Sequence, residues 1–177
     1  MDILLHCCCA PCSVAVTEDL LAKGHSLKAY FFNPNIHPYQ EFKARMEAFS
    51  AWVAGQPFPA QIASEYPLEM WLRQVAQEPE ARCGFCYQSR LIATARLAQA
   101  QSFEAFTTTL LISPYQDHQA IMAAGELAAA QTGVDFYYQD FRPLFRQGQA
   151  KAREMDLYMQ KYCGCIYSEK ERHFKGK

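Results

Sequence analysis

Eight cysteines fall in three short stretches of this 177-residue chain, and their spacing is where chemistry could begin. The first stretch is Leu4-Leu5-His6-Cys7-Cys8-Cys9-Ala10-Pro11-Cys12, the second Cys83-x-x-Cys86, and the third Cys163-Gly164-Cys165. Neither a secretory apolar region nor a membrane-length apolar run is present in the sequence, so a cytoplasmic location is expected. In that reducing setting a cysteine set of this size points to metal binding or redox chemistry before structural disulfides. Idle buried thiols would explain one or two cysteines, since cysteine packs as a small hydrophobe, but not all eight. Cys8 and Cys9 together with Cys83 and Cys86 supply four thiolates, a donor set that suits either structural zinc or an iron–sulfur cluster. Zinc ordinarily takes pairs with spacers, and the adjacency of Cys8 and Cys9 favours the cluster. Cys8-x3-Cys12 matches the first half of a radical S-adenosylmethionine motif, but Ala15 stands where the third cysteine belongs. Cys9-Ala10-Pro11-Cys12 is also a C-x-x-C after a strand, as in thioredoxin-like proteins, which leaves six other cysteines unexplained. A disulfide within Cys163-Gly164-Cys165 would close a tight, strained ring that is easily reduced, which suits electron relay better than stability.

Other groups that could take part lie close to these thiols in the pattern. His6 ends the first apolar run and reads as a supporting core residue. His37, Asp117 and His118 sit in loops after strands and are candidates for proton donation, although capping and turn formation explain them equally well. Tyr30-Phe31-Phe32 and Phe136-Tyr137-Tyr138 could stack on an extruded base, with core packing as the simpler role. Charge is uneven: 8 basic side chains stand against 14 acidic ones through residue 140, and 9 against 4 from residue 141 onward. Arg142, Arg146, Lys151 and Arg153 occur in a run with no acidic residue, a footprint that fits a polyanion or simply a solvated helix.

Positioning the thiols requires elements that end beside them. Ile3-Leu4-Leu5 reads as a buried strand, Pro11 suits the first turn of a helix, and that helix runs from Ser13 to Lys23 and stops at Gly24. Thiols would then sit at the carboxyl end of a strand, where open α/β sheets hold ligands and a helix N-terminus favours anions. A second strand spans Leu27 to Phe32, and a loop with two prolines leads to an amphipathic helix from Tyr39 to Val53. A weak strand at Ala60–Ala63 is followed by a helix from Pro67 to Gln77, a loop carrying Cys83 and Cys86, and a helix from Tyr87 to Gln99. Phe103 to Leu111 reads as a strand, Gln119 to Gln131 as a helix closed by Gly133, and Val134 to Tyr138 as the last strand. One more helix and a charged tail complete the chain. Strands alternating with helices predict a parallel sheet of about five strands with helices on both faces, in one domain over 1–177 with a basic segment at 141–177.

The motifs, taken together, resemble a known family. Leu-Leu-His-x-Cys-Cys-Ala-Pro-Cys (4–12), Phe-Asn-Pro-Asn-Ile-His-Pro (32–38), Arg-Cys-x-x-Cys (82–86), Thr-Thr-Leu-Leu-Ile-Ser-Pro-Tyr-Gln (108–116), Asp-Phe-Arg (140–142) and Tyr-Cys-Gly-Cys (162–165) occur in order, as in epoxyqueuosine reductases of the QueH type. The resemblance implies a Rossmann-like α/β fold similar to the adenine-nucleotide α-hydrolase superfamily, without the Ser-Gly-Gly-x-Asp-Ser-like loop that superfamily uses for ATP. It implies an oxidoreductase that reduces epoxyqueuosine to queuosine at the tRNA wobble position, independently of cobalamin. It further implies a [4Fe-4S] cluster on Cys8, Cys9, Cys83 and Cys86, a second iron with Cys12 as ligand, and a redox-active disulfide between Cys163 and Cys165. On that footing Asp117, His118 or Tyr115 would protonate the departing oxygen. Arg142, Arg146, Lys151 and Arg153 would hold the anticodon arm of the tRNA, and an external donor would supply the electrons. Cys7, at the variable position of its motif, has no assigned role.

Overall fold

Five short apolar segments pair side by side, all in parallel, in the computed structural model, which describes residues 1–176. They are β1 (Asp2–His6), β2 (Ser26–Phe31), β3 (Ala60–Ile62), β4 (Ala105–Thr108) and β5 (Asp135–Phe136), in the order β3-β2-β1-β4-β5. Ile3, Leu4 and Leu5 of β1 are wholly buried, the continuous apolar run expected of a central parallel strand covered on both faces. Each such side chain contributes about 1.5–3 kcal/mol relative to exposure.

Parallel neighbours need crossovers, and helices supply them: α1 (Ala10–Ala22), α2 (Tyr39–Val53), α3 (Leu68–Val75), α4 (Arg82–Ala100) and α5 (His118–Thr132). α1 packs against α2, and α4 packs along α5 and against β1 and β4, the division between two faces that crossovers of the usual right hand give for this strand order. Two further helices close the chain, α6 (Phe145–Glu154) against α1, and α7 (Ile166–His173). The chain leaves β1 toward one edge and β4 toward the other, so strand order reverses between them. The carboxyl ends of β1 and β4 therefore flank the switch-point crevice, where ligands of open α/β sheets lie. No helix among the described residues is long and apolar enough to cross a membrane.

Three expectations are corrected. Cys83 and Cys86 stand on the first turns of α4 rather than on a loop. A 3-10 turn at Pro79–Ala81 brings Arg82 in with helical dihedrals (φ −54°, ψ −34°), so Gly84 falls inside a helix already under way. The strand at 103–111 is paired only over Ala105–Thr108. There Thr108 Oγ1 accepts from the Leu110 amide at 3.1 Å and turns Thr109–Ile112 into a 3-10 helix. The charged tail contains α7, which begins at a cysteine cap in place of the usual Ser, Asp or Asn and has no apolar stripe to announce it. Gly24 and Gly133 end their helices as expected, with φ of +80° and +74°.

Candidate metal centre

β1 ends at His6, and the chain turns through Cys7–Cys9 directly into α1. Cys9 is the N-cap of that helix: its Sγ accepts from the Cys12 amide at 3.4 Å, and Pro11 occupies the first turn. The turn gathers Cys8, Cys9 and Cys12 so that their sulfurs all lie within 4.8 Å of one another. Thr109, freed from the strand, accepts from the Cys8 amide at 3.0 Å and donates to Cys8 Sγ at 3.3 Å. Hydrogen bonds from Cys12 and Cys9, aided by Thr109, hold the Cys8 thiol well below its ordinary range. Burial pushes Cys9 up, and sharing hydrogen bonds with Cys8 and Cys9 pushes Cys12 up. Three sulfurs this close together, those of Cys9 and Cys12 buried and that of Cys8 partly so, form a donor set for a thiophilic metal, which would displace their protons. Among the described residues this is the one such cluster.

The second pair comes from α4. Three-residue spacing puts Cys83 and Cys86 on one side of the helix. Four residues further along that face stands Arg90, buried to 2% exposure. Its Nη2 donates to Cys86 Sγ and its Nε to the Cys86 carbonyl, both at 3.0 Å. Burial pushes the Cys86 thiol up to about 12, with the guanidinium opposing.

The third pair is held by backbone contacts. Arg45 of α2, itself paired with Glu41 at 2.7 Å, donates to the carbonyls of Cys163 (2.8 Å) and Tyr162 (2.9 Å). The His37 amide donates to Gly164 O at 2.8 Å, and Tyr162 Oη returns to the His37 carbonyl. A Cβ at Gly164 would lie 3.2 Å from Asn35 Nδ2 and 3.3 Å from Ile36 Cγ1, so the close approach of this loop to the 33–38 loop requires glycine. Cys163 is exposed and its sulfur accepts from Gln116 Nε2 at 3.3 Å, whereas Cys165 is buried and caps α7.

All three cysteine groups open onto one cavity of about 990 Å³, lined by Cys8, Cys12, Cys83, Cys86, Cys163 and Cys165. Every cysteine carries a free thiol. Cys9, 1% exposed, does not line the cavity; it caps α1 with its sulfur grouped with those of Cys8 and Cys12. Cys7 points into the core, donating to Leu5 O at 3.5 Å, and burial pushes its thiol up to about 12.

The remaining candidates are distributed unevenly. Tyr115 stands at the cavity rim, 84% exposed. Asp117 and His118 do not line the cavity: the Asp117 carboxylate caps α5 by accepting from the Ala120 amide at 3.0 Å, and His118 lies buried behind it. Arg146 and Arg153 line the cavity. Arg142 and Lys151 do not, and each is paired within the chain, with Asp140 and Glu18 respectively. His6 supports from beneath, its Nδ1 accepting from Thr108 Oγ1 at 2.9 Å and its Nε2 donating to Phe32 O at 3.0 Å, and burial lowers it to about 4. The sequence reading assigned no role to Arg90, Arg45, Thr109 or Gln116, although Thr109 and Gln116 lie within the 108–116 motif and Arg90 stands four residues after Cys86 on one helix face.

The family model described as epoxyqueuosine reductase QueH matches residues 3–171. The epoxyqueuosine reductase QueH of Dehalococcoides mccartyi is 36% identical over 173 residues, which cover 98% of this chain and 95% of that protein. The protein of the same name from Thermotoga maritima is 32% identical over 187 residues, covering 98% and 93%, and that of Haemophilus influenzae 36% over 177 residues, covering 94% and 71%. A solved structure, described as a predicted subunit of tRNA methyltransferase from Methanocaldococcus jannaschii, superposes with a TM-score of 0.51 over 82% of this chain and 74% of that one. At 10% identity that likeness is one of fold alone.

Proposed function

The chain belongs to the epoxyqueuosine reductase QueH family, and from that membership we propose that it reduces epoxyqueuosine to queuosine at the tRNA wobble position, by a two-electron deoxygenation that needs no cobalamin. The observation that carries the mechanism is the convergence of three cysteine groups from distant parts of the chain on one cavity. Epoxide, two electrons and two protons give an alkene and water, so the site needs an electron path, a proton source and a place for the base.

Cys8, Cys9, Cys83 and Cys86 are proposed to hold a [4Fe-4S] cluster, with Cys12 a ligand to a second iron. The donor chemistry fits, since the Cys8–Cys9–Cys12 trio is preassembled and Cys83 and Cys86 share the cavity. When bound, these groups supply one-electron transfer and Lewis acidity toward the epoxide oxygen. Cys163 and Cys165 are proposed to cycle between thiols and a disulfide. Their oxidation releases two electrons and two protons, matching the stoichiometry of the reduction. The exposed Cys163 sulfur is the one an external reductant would attack to restore the pair. The modified base enters the cavity, and Arg146 and Arg153 engage phosphates of the anticodon arm. The cytosol, where tRNA is modified and thiols stay reduced, is the proposed location.

The decisive experiment is an anaerobic assay of iron-loaded protein on epoxyqueuosine-containing tRNA with dithionite, read by nucleoside mass spectrometry. Loss of the epoxide oxygen without added cobalamin is expected. A fully loaded brown protein that leaves the epoxide intact overturns the proposal, and a colourless zinc protein overturns the cluster assignment.

A further inference from the structure

Tyr115 is the most exposed of the large apolar and aromatic side chains that face solvent, at 84%, and of that group it alone lines the cavity. A single exposed tyrosine is ordinary on a protein surface. Its setting here is not ordinary. The ring is presented by a held loop: the Tyr115 amide donates to Ser113 Oγ at 3.3 Å, and the next residue, Gln116, accepts from Tyr87 Oη at 2.6 Å. On its other side the ring meets Phe145 edge-on, with centroids 5.9 Å apart at 83°. That contact fixes the ring in position while leaving most of its surface in water.

Four cations without acidic partners share the cavity lining with this ring. Arg146 follows Phe145 on α6 and Arg153 lies further along the same helix, while Lys161 and Arg172 line the cavity from the C-terminal segment. None of the four forms an ion pair among the described residues. An open aromatic face and unpaired cations on the lining of a cavity large enough to admit a base have the chemistry of single-stranded nucleic-acid recognition, with the ring stacking on a base and the cations holding phosphates.

We propose that Tyr115 is a stacking platform for the unpaired anticodon-loop nucleobase next to the one that enters the cavity, with that strand's phosphates on Arg146 and Arg153. The inference rests on tRNA being the substrate, as above. It moves Tyr115 from proton donor to binding residue, because stacking needs the ring face and not the hydroxyl.

The test uses an anticodon stem-loop carrying 2-aminopurine beside the wobble position. Wild-type protein should quench the fluorophore on binding. Tyr115→Ala should lose the quench and weaken binding roughly fivefold to a hundredfold, the worth of one stacked base, with the loss appearing in KM rather than in kcat. Tyr115→Phe should restore both quench and affinity. An unquenched wild-type complex, or a Phe variant as impaired as the Ala variant, overturns the proposal. Exposure of the side chain means that Tyr115→Ala should melt like wild type, which separates binding loss from unfolding. If the stem-loop binds and quenches while epoxyqueuosine is never reduced, the reductase reading fails and the stacking platform stands.

Discussion

Arg90 is buried to 2% exposure, and its side-chain partner is the sulfur of Cys86 rather than a carboxylate. Arginine keeps its charge at any working pH, so burying it without an anion is costly. The arrangement balances when Cys86 is a thiolate bound to metal. Arg90→Met should therefore shift the reduction potential of the loaded protein to more negative values, by on the order of tens of millivolts, because a cation beside an anionic centre favours its reduced form. An EPR-monitored redox titration checks this, and an unchanged potential would reduce Arg90 to packing. His6 sets a second test at the same scale. Its folded-state value of about 4 lies below the 6.5 of an unfolded histidine, so the unfolded chain binds more protons between those limits. Stability is full above pH 6.5 and falls as pH drops toward 4, by roughly 3 kcal/mol from His6. His37, also lowered to about 4 by burial, adds in the same direction. Denaturant midpoints of metal-free protein at pH 7 and 4.5 should show the loss, and His6→Gln should make the difference smaller.

At the scale of elements, α2 and the 33–38 loop together position the C-x-C segment. Arg45 donates to two carbonyls of that segment and to Glu41, while Tyr162 stacks beneath the guanidinium at 5.5 Å. Arg45→Met leaves those carbonyls without a donor and a largely buried carboxylate without its cation, held only by Tyr158 Oη, at a cost of roughly 3 kcal/mol. It should also expose Cys165, whose alkylation, followed by mass spectrometry, should accelerate relative to that of Cys163; equal protection in the variant would show that the loop holds without the clamp. Sequence periodicity revealed α2 through Phe42, Met46, Phe49 and Val53, but it could not reveal Arg45, because a charge on an amphipathic helix ordinarily faces water and the carbonyls this one holds lie more than 100 residues away. The same limit hid Thr109. Its β-branched run reads as strand, and only the Thr108 side chain turns it toward Cys8. The five parallel strands, the switch-point position of the first cysteine loop and the thiol pairs were legible, because hydrophobic runs, helix stops and cysteine spacing are local signals. Whether a cation is free or paired is not a local signal.

Across the whole molecule, that distinction divides the basic segment. The excess of positive charge after residue 140 is visible in composition, yet Arg142 meets Asp140 and Lys151 meets Glu18 away from the cavity, while Arg146 and Arg153 turn into it and are joined there by Lys161 and Arg172. A field concentrated at the mouth of the switch-point cavity steers a polyanion to the thiols rather than to the surface at large. If four phosphates are engaged there, the logarithm of the tRNA binding constant should fall against the logarithm of salt concentration with a slope of about −3, near the value of −0.7 per contact for single strands. Removing one contact should flatten it by about 0.7. Arg146→Ala and Arg153→Ala should each do so and weaken binding at low salt, whereas Arg142→Ala and Lys151→Ala should leave the slope in place. Titrations of tRNA at several potassium chloride concentrations measure all four. A slope near zero would remove the cationic rim from the account. An equal effect of all four substitutions would mean that the whole basic segment binds, and that the pairing of Arg142 and Lys151 yields to the RNA.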